Sequence, residues 1–327
     1  MLRLGLVTLF TVALAAPAPA QQPQPPVATP PPEAVFRSGA NLVSVNVSVL
    51  DGSGRRFVTD LSRADFAIYE DGVQQQVSFF ESSQVPVDLI VMIDTSSSMS
   101  DKIAVVHEAA NNFLRTLRAG DQGAVISFAD QVQVIEPLTA DRAKLERAVN
   151  STIPRGGTAL NNALYVALRQ FGGVTAGEGP VRRRAIALLT DGDDTSSIVS
   201  FDDVLALARK SGVNIYTINL LSAPGPAVGA TRKFLSPAQF SMKSLAQETG
   251  GEAFFPSQLS ELQGVYGSIA QELSSQDSIG YTPTNGRADG RFRRIVVRVT
   301  THPEMKPKTR AGYTADAGRP PSDDVRR

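Results

Sequence analysis

The sequence predicts an α/β protein: a doubly wound, mainly parallel sheet flanked by helices, inserted in a small all-β, sandwich-like module. Three observations carry that expectation. Residues 87–93, apolar but for Asp88, and residues 185–189 are near-continuous apolar runs, the pattern of strands buried on both faces. Such runs alternate with segments whose apolar residues recur at helical spacing, the order of a parallel sheet covered by helices on both sides. At both ends of the chain the pattern is instead strand and turn without helices.

In chain order, Arg3 is followed by an apolar run, 4–16, that is too short for a membrane span. Ala18-Pro19-Ala20 then supplies a small-residue cleavage motif. Residues 1–20 therefore read as a secretory signal peptide cut near Ala20/Gln21, which predicts a secreted or periplasmic protein. No later segment is long and apolar enough to span a bilayer, so the processed chain is expected to have no integral membrane span. Residues 21–40 form a Pro-rich linker that cannot bury a core.

Residues 41–84 are read as the first half of the β-module. Alternation of apolar and polar residues over 41–50 marks a half-buried strand, a turn follows at 51–54, and 66–69 and 77–80 flank a Glu-Asp-Gly turn. Residues 85–276 are read as the α/β domain. Its expected strands are 87–93, 124–128, an edge strand at 132–135, 185–189, 213–220 and 252–255. Its expected helices are 102–117, 142–149, 159–171, 202–210, 241–248 and 259–273. Residues 277–315 revert to strand character at 278–282, 292–300 and 308–313, with Asn285-Gly286 and Asp289-Gly290 as turns, and form the second half of the β-module. Residues 316–327 are a polar, Pro-containing tail expected to be disordered.

Composition narrows the function classes. Of 327 residues, 32 are Lys or Arg and 32 are Asp or Glu, a formal net charge of +0. A nucleic-acid binder usually carries a basic excess, so none is expected as partner. The one dense basic spot, Arg182-Arg183-Arg184, precedes an apolar strand and reads as a solvated loop. The absence of cysteine excludes disulfides, thiolate metal sites and cysteine nucleophiles.

Three short segments carry candidate chemistry. Asp94-Thr95-Ser96-Ser97-Ser98 follows the first buried strand, Gly156-Gly157-Thr158 opens a helix, and Thr190-Asp191-Gly192-Asp193 follows a later buried strand. Ligand sites in open parallel sheets form beyond the carboxyl ends of the strands, so Asp94 and Asp191 can converge there. Two carboxylates and three hydroxyls are hard oxygen donors that suit Mg²⁺ first, with Mn²⁺ or Ca²⁺ as alternatives, rather than Zn²⁺. Each piece also has a plainer use: Ser96, Ser98 and Ser100 could cap the next helix, Thr158 could cap another, and Asp191-Gly192 could be a turn.

Taken together, Asp94-x-Ser96-x-Ser98, Thr158 and Asp191 resemble the metal-ion-dependent adhesion site of von Willebrand factor type A domains. The resemblance runs over residues 85–276 and fills every position of the motif. It implies that Asp94, Ser96, Ser98, Thr158 and Asp191 hold a divalent cation directly or through water, and that a protein partner completes the coordination with an acidic residue. The flanking segments LSRADFAIYEDGVQQQVSFFE and IGYTP…DGRFRRIVVRV…RAGYTA are similar to a bacterial group of secreted VWFA-related proteins, numerous in acidobacteria. The expected function is thus an exported, non-enzymatic adhesion or protein-interaction module. The alternatives are a metal-dependent hydrolase or phosphatase and a structural envelope protein with an unused metal site. No Gly-x-Ser-x-Gly elbow, Walker loop, Gly-x-Gly-x-x-Gly or His-Glu-x-x-His is present, and a phosphatase would want an acid where Ser96 stands. Partner contacts are expected from Asp193 and from Arg232, Lys233 and Phe234, on a long Gly/Pro/Ala-rich connection, 221–240, in which no helix is expected.

Overall fold

The first buried run, β6 (Val87–Asp94), lies at the centre of the protein with every residue buried. A computed structural model describes residues 42–82, 85–171, 182–220 and 235–315. The leader 1–20, the linker 21–40, the tail 316–327 and the residues Arg232, Lys233 and Phe234 lie outside the described residues.

Before β6 come β1 (Val43–Leu50), β2 (Phe57–Val58), β3 (Phe66–Glu70), β4 (Val73–Gln75) and β5 (Val77–Glu81). After it come α1 (Ile103–Arg115), β7 (Gln122–Phe128), β8 (Val132–Thr139), α2 (Arg142–Asn150), α3 (Leu160–Gln170), β9 (Arg183–Thr190), α4 (Phe201–Ser211), β10 (Asn214–Asn219), α5 (Pro237–Thr249), β11 (Ala253–Phe254) and α6 (Leu262–Ser275). The chain closes with β12 (Asp277–Tyr281), β13 (Phe292–Val299), β14 (Lys306–Lys308) and β15 (Gly312–Thr314).

The central sheet has the order β11-β10-β9-β6-β7-β8, and only its edge strand β8 runs antiparallel. Because side chains alternate across a strand, the apolar stretch 89–93 of β6 feeds two cores. Leu89, Val91 and Ile93 pack with α1, α2 and α6, through residues such as Val106, Phe113, Leu145 and Tyr266. Ile90 and Met92 pack with α3, α4 and α5, through Ala163, Leu164, Val204 and Leu245. This is why the run shows no alternation in sequence.

The flanks form two further sheets, β14-β1-β12-β5 with β2 added to β1, and β15-β13-β3-β4. Both contain strands from each end of the chain, and they share one core of Val45, Val47, Ile68, Ile279, Tyr281 and Val297. Buried Glu70 on β3 accepts hydrogen bonds from Tyr281 Oη at 2.8 Å and Tyr313 Oη at 3.0 Å. One carboxylate of the first half is thereby tied to two strands of the second.

Four expectations need correction. The run Arg182-Arg183-Arg184 is not a solvated loop: β9 starts within it, and Arg183 is 2% exposed. Its guanidinium donates to the carbonyls of Val85, Leu273 and Gln276, where the chain enters and leaves the α/β part. Five N–H groups on one planar head can satisfy several converging carbonyls, which a shorter side chain cannot do. Arg182 bonds Asp88 at 2.7 Å, and Arg184 lies over the Phe171 ring. Second, the expected strand 308–313 is two strands in different sheets, β14 beside β1 and β15 beside β13. Between them Ala311 N–H donates to the Glu248 carbonyl at the end of α5, and that contact diverts the chain. Third, α5 starts at Pro237, inside the connection expected to hold no helix; Ser236 and Gln239 cap it reciprocally, with Pro237 at the first position. Fourth, the edge strand expected at 132–135 continues to Thr139.

Candidate functional site

The chain leaves β6 through α1 toward β7 on one side, and leaves β9 through α4 toward β10 on the other. Neighbouring strands whose continuations diverge leave a crevice at their carboxyl ends. Asp94 is the last residue of β6, and Asp191 follows the last residue of β9. The topology thus brings together two carboxylates that are 97 positions apart in the numbering.

Around them the polar groups close into one network. Thr190 Oγ1 donates to Asp94 Oδ2 at 2.5 Å, and Ser96 N–H donates to Asp94 Oδ1 at 2.8 Å. Ser96 Oγ and Ser98 Oγ are 3.0 Å apart, and Ser98 Oγ donates to Asp191 Oδ1 at 2.8 Å. The second Asp191 oxygen accepts from Lys102 Nζ, which also donates to the Ser98 carbonyl at 3.3 Å. Asp94 has no exposed surface, and the Asp191 side chain is 1% exposed. Burial pushes the Asp94 carboxyl above its ordinary value; the bonds from Thr190 and Ser96 pull it back, and Asp191 adds to the rise. Two carboxylates, the Ser96 and Ser98 hydroxyls and one ammonium group thus meet beyond the strand ends.

The plainer uses of these residues are not what the structure shows. The serines do not cap α1; its first flanking residue is Lys102, without a side-chain cap. A 3₁₀ turn, 97–99, comes first, and Ser96 and Ser98 point their hydroxyls into the network. Thr158 does not cap α3 either. The α3 N-terminus is served by the loop after β9, with Asn161 N–H donating to Asp194 Oδ2 and Asn162 N–H to Ser197 Oγ. Thr158 is itself buried, clasped by Thr195, and its hydroxyl faces Gly192 beside Asp191. Of the expected partner-contact residues, Asp193 is exposed in that same loop; Arg232, Lys233 and Phe234 lie outside the described residues.

Sequence reasoning gave four residues no part in holding the site together. Lys102 stands four positions after Ser98, close to one helical turn, and that spacing was the available signal. Thr190 adjoins Asp191 at the strand end. Asp194 holds its own loop against α3 and also accepts from Ser197 N–H at 3.0 Å. Asp130, just beyond β7, accepts from Gly157 N–H at 2.8 Å and so fixes the loop that presents Thr158. Gly156 adopts φ +71°, and a Cβ there would run into the Asp130 carboxylate.

Fold and site together define the class: an open α/β domain with an oxygen-lined crevice at the switch point of its sheet. The chain belongs to the von Willebrand factor type A domain family, whose model matches residues 88–267. Domains of this family are generally protein-interaction or adhesion modules. Among curated proteins the chain is 28% identical over 227 residues to a UPF0353 protein of Mycobacterium leprae, covering 64% of this chain and 66% of the relative. A UPF0353 protein of Mycobacterium tuberculosis is 27% identical over 223 residues, with 63% and 64% covered. The chain thus spans just under two thirds of the length of these relatives. Among solved structures, a von Willebrand factor type A protein from Catenulispora acidiphila aligns with a TM-score of 0.49 at 16% identity, covering 86% of this chain and 65% of that one. Among the described residues, no helix is long and apolar enough to cross a membrane.

Proposed function

We propose that the protein is an exported adhesion or interaction module that holds a divalent cation through Asp94, Ser96, Ser98, Thr158 and Asp191, and grips an acidic residue of a protein partner through that cation. The observation that carries this reading is the junction of two buried carboxylates and the Ser98 hydroxyl at one point of the sheet, already neutralised in part by an ammonium group. The donors fit the ion: all are hard oxygens, and two carboxylates match a double positive charge. When bound, the cation would supply an electrophilic centre with a position open to an outside carboxylate. The chain's own residues do the holding, with Thr190 and the Ser96 amide fixing Asp94 and the Asp130-anchored loop delivering Thr158.

In the non-enzymatic reading, neither histidine serves the site, and the partners of both lie outside its hydrogen-bonded network. His107 shares a 2.7 Å hydrogen bond with Thr152, and His302 lies 3.5 Å from Glu304. Export rests on the leader read in residues 1–20. Mg²⁺ or Mn²⁺ should raise the melting temperature of the EDTA-treated protein in a concentration-dependent way, since a ligand bound only by the folded state stabilises it. Asp191→Ala should abolish that dependence; an unchanged response in this variant would remove the assignment. Recovery of a partner from envelope extract in Mg²⁺ but not in EDTA would then test the second half of the reading.

A further inference from the structure

Lys102 is the element of the site that the motif does not include. Its ammonium sits on Asp191 Oδ2, and its side chain is 23% exposed, so it reaches a nearly closed carboxylate from the rim. Asp191 Oδ1 is taken by Ser98, so Lys102 and Ser98 together use both oxygens of this group. The same ammonium donates to the Ser98 carbonyl, which closes the turn that carries Ser96 and Ser98. The Lys102 amide also donates to the Met99 carbonyl, so the backbone of this lysine is part of that turn. A monovalent cation on a flexible stem thus occupies the place where a second positive charge would have to go.

We propose that Lys102 is a tethered competitor for the cation site: its ammonium balances Asp191 while no divalent ion is bound, and an ion entering between Asp94 and Asp191 has to displace it. The proposal rests on the cation-binding reading given above and adds what sets the affinity. A like charge close to the entering ion opposes it, and breaking an existing ion pair subtracts from the gain. The lysine therefore keeps affinity low and exchange fast. It also holds the ion-free site together, because two buried carboxylates without any cation would repel one another.

The test is titration of the full chain with MgCl₂ and MnCl₂ after EDTA treatment, read by calorimetry and by the melting temperature. Lys102→Met keeps the stem and removes the charge; Lys102→Arg restores a charge. Lys102→Met should bind either ion at least about tenfold more tightly, equivalent to about 1.4 kcal/mol, and should melt lower than the unaltered protein in EDTA. Lys102→Arg should return both values toward those of the unaltered protein. Should Lys102→Met disturb folding, Lys102→Gln provides the same comparison with a polar neutral stem. Equal or weaker ion affinity in the neutral variants, with the unaltered protein still binding, would overturn the competitor role and leave the cation site standing. No response to either ion in any variant would overturn both. Binding that is absent in the unaltered protein but present in Lys102→Met would support the proposal in its strongest form.

Discussion

At the scale of single residues, the site depends on groups that hold the candidate ligands as much as on the ligands. Asp130 and Gly156 form such a pair. Gly156 stands at a positive φ that an L side chain adopts only under strain, and the Asp130 carboxylate fills the space a Cβ would need. Its carbonyl accepts from Ser97 N–H at 3.0 Å, so a displaced Gly156 moves the serine turn as well. Gly156→Ala should therefore cost about 1–3 kcal/mol of stability and weaken the response to Mg²⁺. Part of that cost is steric and part is backbone strain. Adding Asp130→Ala to Gly156→Ala should recover the steric part, so urea midpoints of the two single variants and the double variant should be less than additive. Strict additivity would mean that the two residues do not act on each other.

At the scale of elements, the loop between α2 and α3 is held from three sides. Arg155 N–H bonds the Thr95 carbonyl at 2.6 Å, Asp130 holds Gly157, and His107 on α1 bonds Thr152 Oγ1. His107 is partly buried, and that burial pushes its pKa below the ordinary 6.5. The folded state thus binds the proton less readily than the unfolded chain, and the unfolded chain binds more protons in the window just below 6.5. Stability then rises with pH through that window and is lost as the pH falls through it. The melting temperature should accordingly drop between pH 7 and pH 5 by more in the unaltered protein than in His107→Gln, whose amide keeps a hydrogen bond to Thr152 without titrating. Equal slopes in differential scanning fluorimetry would exclude His107 as the source.

At the scale of the whole molecule, polar groups link the two parts, and among the described residues their apolar cores are separate. Glu272 on α6 accepts from Ser48 at 3.0 Å and from Lys308 at 2.8 Å, while Asn46 donates to Asn214 at 2.9 Å and Lys308 also donates to Glu252 at 2.9 Å. The α/β part contains two complete cores of its own. The β core draws on both ends of the chain. We propose, on this basis, that residues 85–276 form an independent domain and that 41–84 and 277–315 make one module only together. A chain restricted to 85–276 should unfold cooperatively in urea, at a lower midpoint than the full protein because Glu272 and Asn214 lose their partners. Residues 41–84 and 277–315 expressed separately should show no cooperative transition, since a few strands with half a core are not stable alone. A cooperative melt of 41–84 by itself would contradict the shared module.

What was legible in the sequence by itself were the features written in local pattern. The period of the apolar residues identified the central strands and most helices, because a strand buried on both faces is mostly apolar along its length. The spacing of Asp94, Ser96 and Ser98, with Asp191 behind a later strand, pointed to four polar residues that the fold joins in one hydrogen-bonded network, while Thr158 lies in the loop beside Gly192. Other features depended on partners distant in sequence. Arg183 reads as one of three solvated arginines until the carbonyls of Val85, Leu273 and Gln276 are folded around it. The stretch 308–313 reads as one strand until the end of α5 bends it between two sheets. Lys102 is only the first residue of the expected helix 102–117 until the end of β9 brings Asp191 to its ammonium. A period or a motif records what a residue needs from its neighbours along the chain. The charge, carbonyl or backbone it will meet across the fold is supplied by topology, and only the tertiary structure decides that.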